Sequence, residues 1–189
     1  EVLYGEVNPA GKLPVTFPRS VGQMPLYYNY MSTGRPAAKN PGEVFYSHYI
    51  DETNDPLFVF GHGLSYTTFA YSDLRLSAES MKMEGAITAS VDLTNTGTRA
   101  GTEVVQLYLH DRYAAVVRPV KELKGFQRVS LEPGETTTVT FTIDQDLLGF
   151  YNTKGEWTVE PGWFDVMVGG SSATQLEGAF EVKKKRSTN

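Results

Sequence analysis

Cysteine is missing altogether from this 189-residue chain. Its absence excludes disulfides, thiolate metal sites and cysteine nucleophiles. It leaves the compartment open, because a bacterial periplasmic protein can do without disulfides. Histidine is scarce: His48, His62 and His110 are the only three, and none stands three to five residues from another. Zinc-ligand spacing is therefore absent. No apolar run approaches the roughly 20 residues of a membrane-spanning helix, so no membrane partner is expected. Positive charge is not in excess either: a formal net charge of −5 argues against a nucleic-acid partner. The one basic cluster, Lys183-Lys184-Lys185-Arg186, reads as a solvated tail.

Several chemical signatures are also lacking. There is no Gly-x-Ser-x-Gly elbow, and Gly169-Gly170-Ser171-Ser172 reads as a turn. Gly61-His62-Gly63 opens no helical pattern, so it is not a phosphate loop. Asp51-Glu52-Thr53-Asn54-Asp55 gathers oxygen ligands without the Gly and distal Glu of a calcium loop, and reads as a polar turn. No initiating Met, basic n-region or signal peptide is present. Glu1-Val2-Leu3-Tyr4-Gly5 reads as the tail of an element, so the chain is expected to be part of a longer protein.

Aromatics, by contrast, are plentiful: 11 Tyr, 10 Phe and 2 Trp. Sugar-handling proteins share this composition, and so do β-sandwich cores. The chain divides at residues 58–69, where Phe58, Phe60, Leu64, Tyr66 and Phe69 are too apolar for a free linker. The two Gly around His62 permit a sharp turn or a close backbone approach. We read this stretch as a packed hinge, with His62 a junction residue. Residues 1–68 lack a clear period. Asn8-Pro9-Ala10-Gly11-Lys12 is a turn, and Leu13-Pro14-Val15-Thr16-Phe17-Pro18 is an extended edge piece that its prolines bar from a helix. A second extended piece covers residues 24–30, a loop covers 32–42, and alternation suggests a short strand over 44–50. So little periodicity in 68 residues is marginal alone. The segment is expected to lean on something else: the sandwich, an upstream domain, or a second copy of the chain in a homo-oligomer.

From residue 69 onward the pattern changes. Seven candidate strands follow at 69–77, 86–95, 103–110, 121–129, 136–143, 163–169 and 178–182, with a helical turn over 144–148 and a bulge at Gly125. Period-2 alternation at this spacing predicts an antiparallel, immunoglobulin-like or fibronectin type III-like β-sandwich. Its expected core is Ile87, Val91, Leu93, Leu107, Leu109, Phe126, Val139, Phe141, Val166, Val168 and Phe180.

For chemistry, a glycosidase needs two carboxylates about 5 Å or 6.5–9.5 Å apart. Glu43, Asp51, Glu52, Asp55, Asp73 and Glu103 are scattered, and nothing in their spacing couples any two. Tyr27, Tyr28 and Tyr30 crowd one segment, and Tyr46 and Tyr49 another. Such rings could face the apolar C–H side of a pyranose, although core and interface packing explains them more simply. The sandwich sequence shows no obvious planar row of exposed aromatics.

Two sets of motifs carry a family resemblance. The first is Asn8-Pro9-Ala10-Gly11-Lys12-Leu13-Pro14-Val15-Thr16-Phe17-Pro18 with Phe60-Gly61-His62-Gly63-Leu64-Ser65-Tyr66-Thr67-Thr68-Phe69. The second is Arg118-Pro119-Val120-Lys121-Glu122-Leu123-Lys124-Gly125-Phe126 with Leu131-Glu132-Pro133-Gly134-Glu135 and Glu160-Pro161-Gly162. Together they resemble the C-terminal portion of glycoside hydrolase family 3 β-glucosidases. Residues 19–28 and Thr33-Gly34-Arg35-Pro36 are similar to the bacterial periplasmic type. The resemblance covers essentially the whole chain, although His62 stands where relatives often carry an aromatic. It implies that residues 1–68 end an α/β sandwich domain and that residues 69–189 are a fibronectin type III-like domain with a basic tail. It implies a periplasmic or secreted, retaining, exo-acting parent enzyme acting on β-glucosides or cello-oligosaccharides, with no cofactor. Both catalytic carboxylates of the family precede the Asn-Pro-Ala-Gly-Lys motif, so the upstream catalytic domains of the same protein are the implied partners and this stretch is structural. Tyr27, Tyr28, Tyr30 and Arg35 are then the residues expected nearest the substrate cleft. The rival reading is a stand-alone fibronectin-like module that binds carbohydrate or protein.

Overall fold

The computed structural model describes residues 1–32, 35, 44–174 and 176–184. From residue 69 the chain forms β1 (Phe69–Leu76), β2 (Ser80–Lys82), β3 (Ala86–Asn95), β4 (Gly101–Asp111), β5 (Glu122–Leu131) and β6 (Thr136–Asp144). The helical turn α1 (Gln145–Leu148) follows, then β7 (Phe150–Tyr151), β8 (Trp157–Thr158), β9 (Gly162–Gly169) and β10 (Leu176–Lys183). One sheet has the order β1-β3-β6 and the other β2-β10-β9-β4-β5, while β7 and β8 form a separate hairpin. Every pairing is antiparallel except β2 with β10, where Glu181 lies opposite Ser80. This is a mainly β, fibronectin type III-like sandwich.

Alternation explains the core. In β3, Ile87, Ala89, Val91 and Leu93 are buried, and Val139, Phe141 and Ile143 of β6 lie on the same inner side. Val105, Leu107, Leu109, Val166, Val168 and Phe180 close the core from the second sheet. Outward-facing hydroxyls pair across the first sheet, as in Ser90 with Thr140 at 3.0 Å and Thr94 with Thr136 at 2.8 Å. Asp144 caps α1 by accepting from the Asp146 and Leu147 N–H groups.

One expected core residue is not in the core: Phe126 is 65% exposed. Lys124 is the extra residue of a bulge in β5, where Gly125 lies opposite Leu107 but Leu123 already lies opposite Tyr108. On the sandwich side Gly125 faces the Phe141 ring, with a Cβ there only 3.3 Å from the ring carbon Cδ1. Phe141 therefore fills the inner space beside β5, and Phe126, one residue on, points outward.

Among the described residues, the N-terminal 68 hold little regular structure beyond a 3-10 turn over Val21–Gln23. The expected strand over 44–50 does not form. That stretch is turns and bends in which only Ser47 is bridge-paired, donating its N–H to the Arg35 carbonyl at 3.2 Å. Much of the 32–42 loop, with Thr33, Gly34, Pro36 and Glu43, lies outside the described residues, as do Lys185 and Arg186 of the basic cluster. Residues 13–17 are extended, as their prolines require, and pair with residues 57–62. Phe17 N–H donates to Phe58 O, Leu13 N–H to His62 O and Gly61 N–H to Leu13 O, each at 2.8 Å.

This paired ribbon lies on the outer face of the five-stranded sheet. The outer face of an antiparallel sheet commonly meets water. Here Tyr108 of β4 is 0% exposed and Gln106 is buried beside it, because Tyr28, Phe60 and Gly61 cover them. Gly61 has φ +79°, and a Cβ on it would run into the Gln106 amide. A Cβ on Gly63 would run into the Gly11 carbonyl oxygen. Both glycines of the Gly-His-Gly motif are thus required by close approach, and the His62 ring stacks on Phe58 at 4.9 Å.

Candidate functional site

The seam between the N-terminal segment and the sandwich opens into a groove of about 700 Å³. Tyr27, Tyr28, Tyr30 and Tyr49 supply its aromatic wall, and Asn54, Asp55 and Lys121 its polar groups. Three of the four residues expected at a substrate cleft therefore meet in one place. The fourth, Arg35, does not line the groove, and its guanidinium lies 3.5 Å from the Phe45 carbonyl.

The three tyrosines differ in what they do. Tyr28 stacks on Phe60 with ring centroids 4.2 Å apart and meets Tyr108 edge-on at 5.8 Å. Its hydroxyl oxygen accepts from Leu123 N–H at 3.3 Å. Tyr28 is thus held by the sandwich. Tyr27 and Tyr30 keep their rings exposed, while the Tyr30 carbonyl accepts from Val120 N–H at 3.0 Å. Tyr28 fastens the wall, and Tyr27 and Tyr30 are its free faces.

Gln23 is the organiser that the sequence did not reveal. It is buried, and its Nε2 donates to the Thr53 carbonyl at 2.7 Å while its Oε1 accepts from Arg19 N–H at 2.5 Å. Arg19 Nε in turn donates to the Asp55 carbonyl at 3.1 Å. This network fixes the turn carrying Asn54 and Asp55. A single Gln in an aperiodic loop carries no signal that could have announced it. Lys121 was visible only as part of the Arg118 to Phe126 motif. Its ammonium donates to the Ser172 carbonyl at 2.9 Å, and burial holds its pKa below the usual lysine range. Ser172 N–H donates to Phe60 O at 2.9 Å, so both faces of the seam converge on the 170–172 turn.

Charge is concentrated one step away. Lys12 meets Glu103 at 2.7 Å, with both side chains largely buried. The Tyr71 hydroxyl lies beside the same point near Gly170; burial first, and the Glu103 charge second, push its ionisation far above the usual tyrosine range. Asn8 ties the same seam by donating to Ala100 O at 2.9 Å and accepting from Ser65 Oγ and Tyr66 N–H at 2.8 Å. These groups fasten the two parts together, and Lys12, Tyr71 and Glu103 also line a smaller groove of about 350 Å³.

Chemically, the groove can stack and hydrogen-bond a polar ligand. Among the described residues, Asp55 is the one carboxylate that lines it, whereas glycoside hydrolysis needs a pair. Among the described residues, no group of three or more His, Asp or Glu side chains could hold a metal ion. No helix among them is long and apolar enough to cross a membrane.

Two family models match the chain in order. Residues 1–66 match the glycosyl hydrolase family 3 C-terminal domain, and residues 103–172 match the fibronectin type III-like domain. The chain is 50% identical over 182 residues to a periplasmic beta-glucosidase of Salmonella typhimurium, covering 96% of this chain and 24% of that protein. It is 42% identical to a putative beta-xylosidase of Formosa agariphila, covering 97% of this chain and 23% of that one. Among solved structures, the beta-glucosidase from Listeria innocua in complex with glucose superposes with a TM-score of 0.91 at 42% identity, over 96% of this chain and 25% of that one. The chain thus spans about a quarter of the length of the relatives it matches.

Proposed function

We infer that this chain, which belongs to glycoside hydrolase family 3 and carries the C-terminal portion of that family's architecture, is the non-catalytic end of a retaining, exo-acting β-glucosidase. The observation that carries this reading is the 50% identity to a periplasmic beta-glucosidase, which covers 96% of the chain and so takes in both the N-terminal segment and the sandwich. The parent enzyme would release terminal β-D-glucosyl units from β-glucosides or cello-oligosaccharides in the periplasm or outside the cell. Its nucleophile and acid/base would both come from upstream domains, through chemistry that needs two carboxylates and no cofactor.

Within that enzyme, residues 1–68 complete the α/β sandwich domain and residues 69–189 form the buttress behind it. The seam locks the two together through Asn8, the Lys12–Glu103 pair and the Tyr28–Phe60 stack. A rigid support of this kind keeps a catalytic loop in register with its partner residues. Tyr27 and Tyr30 present free rings to the substrate side, with Tyr28 holding the wall behind them.

The test is an assay of the chain by itself against a chromogenic aryl β-glucoside. No turnover is expected. Turnover that disappears when one of the chain's own acids is changed overturns the reading. In the full-length enzyme the aryl β-glucoside should be hydrolysed faster than the corresponding β-xyloside. The reverse order would move the protein to the β-xylosidase side of its relatives.

A further inference from the structure

We propose that the end of the sandwich formed by the β7–β8 hairpin carries a second, non-catalytic carbohydrate site, a groove edged by Trp157 that takes a β-glucan oligosaccharide. This rests on the reading of the protein as one that handles glucosides.

The site is built by the hairpin of β7 and β8, which places Tyr151 directly opposite Trp157. Their ring centroids are 5.1 Å apart at an interplanar angle of 70°. Both rings face outward: Trp157 is 51% exposed and Tyr151 67%. The indole is seated against Gly149, where a Cβ would collide with ring atoms Cε2, Cζ2 and Nε1. The ring is therefore fixed on one side and open on the other. The hairpin turn is fastened by Asn152, whose Oδ1 accepts from Lys154 N–H at 2.9 Å and Glu156 N–H at 3.1 Å. Two exposed aromatics are thus held in place on a short, braced element. Large exposed apolar surface with no packing role marks binding sites.

Beside Trp157 runs a groove of about 990 Å³, at the upper end of the range for small-molecule sites. Its other walls mix polar groups, Gln145, Asp146, Thr158, Lys82 and Lys183 among them, with the apolar side chains of Met83 and Val159. An open indole beside amide, hydroxyl, carboxylate and ammonium groups suits a ligand with one apolar face and many hydroxyls, which describes a pyranose. Lys82, Lys183 and Lys184 are nearly balanced by Glu84 and Asp146, so the lining does not select a polyanion.

The seam runs from the Asn95 end of β3, where Thr67 donates to Asn95 at 2.6 Å, along β5 to Val120, whose N–H donates to the Tyr30 carbonyl at 3.0 Å. The groove sits at the Ala86 end of β3, beside the hairpin whose Phe150 ring carries the Arg118 guanidinium at 4.9 Å. A 10-residue strand separates the groove from the Thr67–Asn95 contact by roughly 30 Å. A long substrate held in this groove could have its end worked on elsewhere.

The test is titration of the full chain, as Trp163→Phe, with cellohexaose and laminarihexaose, read by Trp157 emission and amide shifts. Trp163 lies on β9 beside Arg112, so its loss leaves a single reporter. Saturable binding with a Kd of about 0.1–1 mM is expected for at least one oligosaccharide, with shifts confined to residues 145–158 and 82–84. Trp157→Ala should weaken it at least tenfold and Tyr151→Ala several-fold, while Trp157→Phe keeps both the ring on Gly149 and most of the binding. An unchanged melting temperature in Tyr151→Ala separates lost binding from lost folding. No saturation up to about 10 mM, or shifts that map to Tyr27, Tyr30 and Tyr49 instead, overturns the proposal. The aryl β-glucoside assay on the full-length enzyme reads the hydrolase assignment separately, because it needs no binding in this groove.

Discussion

Phe126 and Phe141 stand opposite each other in legibility. Both are phenylalanines in alternating strands, yet Phe141 is buried and Phe126 is not. The sequence carries the alternation of β6 faithfully, but a bulge changes the face of every residue beyond it, and its place is set by the partner strand. Phe141→Ala should cost about 3–5 kcal/mol of stability, and Phe126→Ala less than about 0.5 kcal/mol. Denaturant melts of the two variants decide it, since equal losses would place both rings in the core. Gly63 is the converse case, a residue whose need was visible from composition alone. Gly63→Ala forces its Cβ against the Gly11 carbonyl, and should cost about 1–3 kcal/mol while opening the pairing of residue 13 with residues 61–62. Amide exchange at Leu13 and Gly61 faster than in the parent chain is the expected readout.

Among the elements, the seven longer strands were legible because each carries enough residues for a period to show. Strands β2, β7 and β8, two or three residues each, were not. For the same reason the Tyr151–Trp157 pair stayed hidden, since only the hairpin brings residues six apart face to face. Residues 44–50 show the opposite failure: they alternate, but among the described residues no neighbouring strand offers a ladder, and pattern without a partner does not make a strand. The β1–β3 pairing offers a pH test. Arg75 donates to both oxygens of Asp92, at 2.9 and 2.7 Å, and Thr138 adds a third hydrogen bond at 2.6 Å. These bonds, that of Arg75 first, lower the Asp92 pKa to about 2. A carboxyl lowered on folding stabilises the fold above its ordinary range near 3.8, and that contribution disappears as pH falls through about 2. A side-chain carbon titration by NMR should place the Asp92 midpoint near 2, and Arg75→Ala should return it towards 3.8. A midpoint already near 3.8 in the parent chain would mean that the cross-strand pair is not formed in solution.

For the molecule as a whole, β1 starts at Phe69, where aperiodic sequence gives way to alternation, and Tyr27, Tyr28 and Tyr30 of the tyrosine-rich stretch line one wall of the groove. The other wall was beyond reach, because Lys121 and Ser172 join Tyr28 and Phe60 only through folding. Residues 1–68 depend on that sandwich. Val15, Phe17, Tyr27, Phe45 and Phe58 remain exposed, and much of what the segment does bury lies against β4. Deleting residues 69–183 should leave residues 13–17 and 44–50 exchanging their amides at nearly unstructured rates. Slow exchange there in a demonstrated monomer would show an independent domain. The intact chain, with that apolar surface in water, should associate as its concentration rises, which sedimentation at several concentrations would reveal.

The seam also imposes an order in time. The Tyr28 hydroxyl meets Leu123, 95 residues later in the sequence, and Gly5 meets Arg99 across 94. At a synthesis rate of about 5–20 residues per second, the first partner is exposed for roughly 5–20 s before the second has been made. During that interval the ribbon has no sheet to lie on, and its aromatic faces are open to chaperones or to other nascent chains. Growth conditions that slow translation between Tyr28 and Leu123 would lengthen that exposure, and yield of soluble protein would then be governed by elongation speed as well as by the stability of the finished fold.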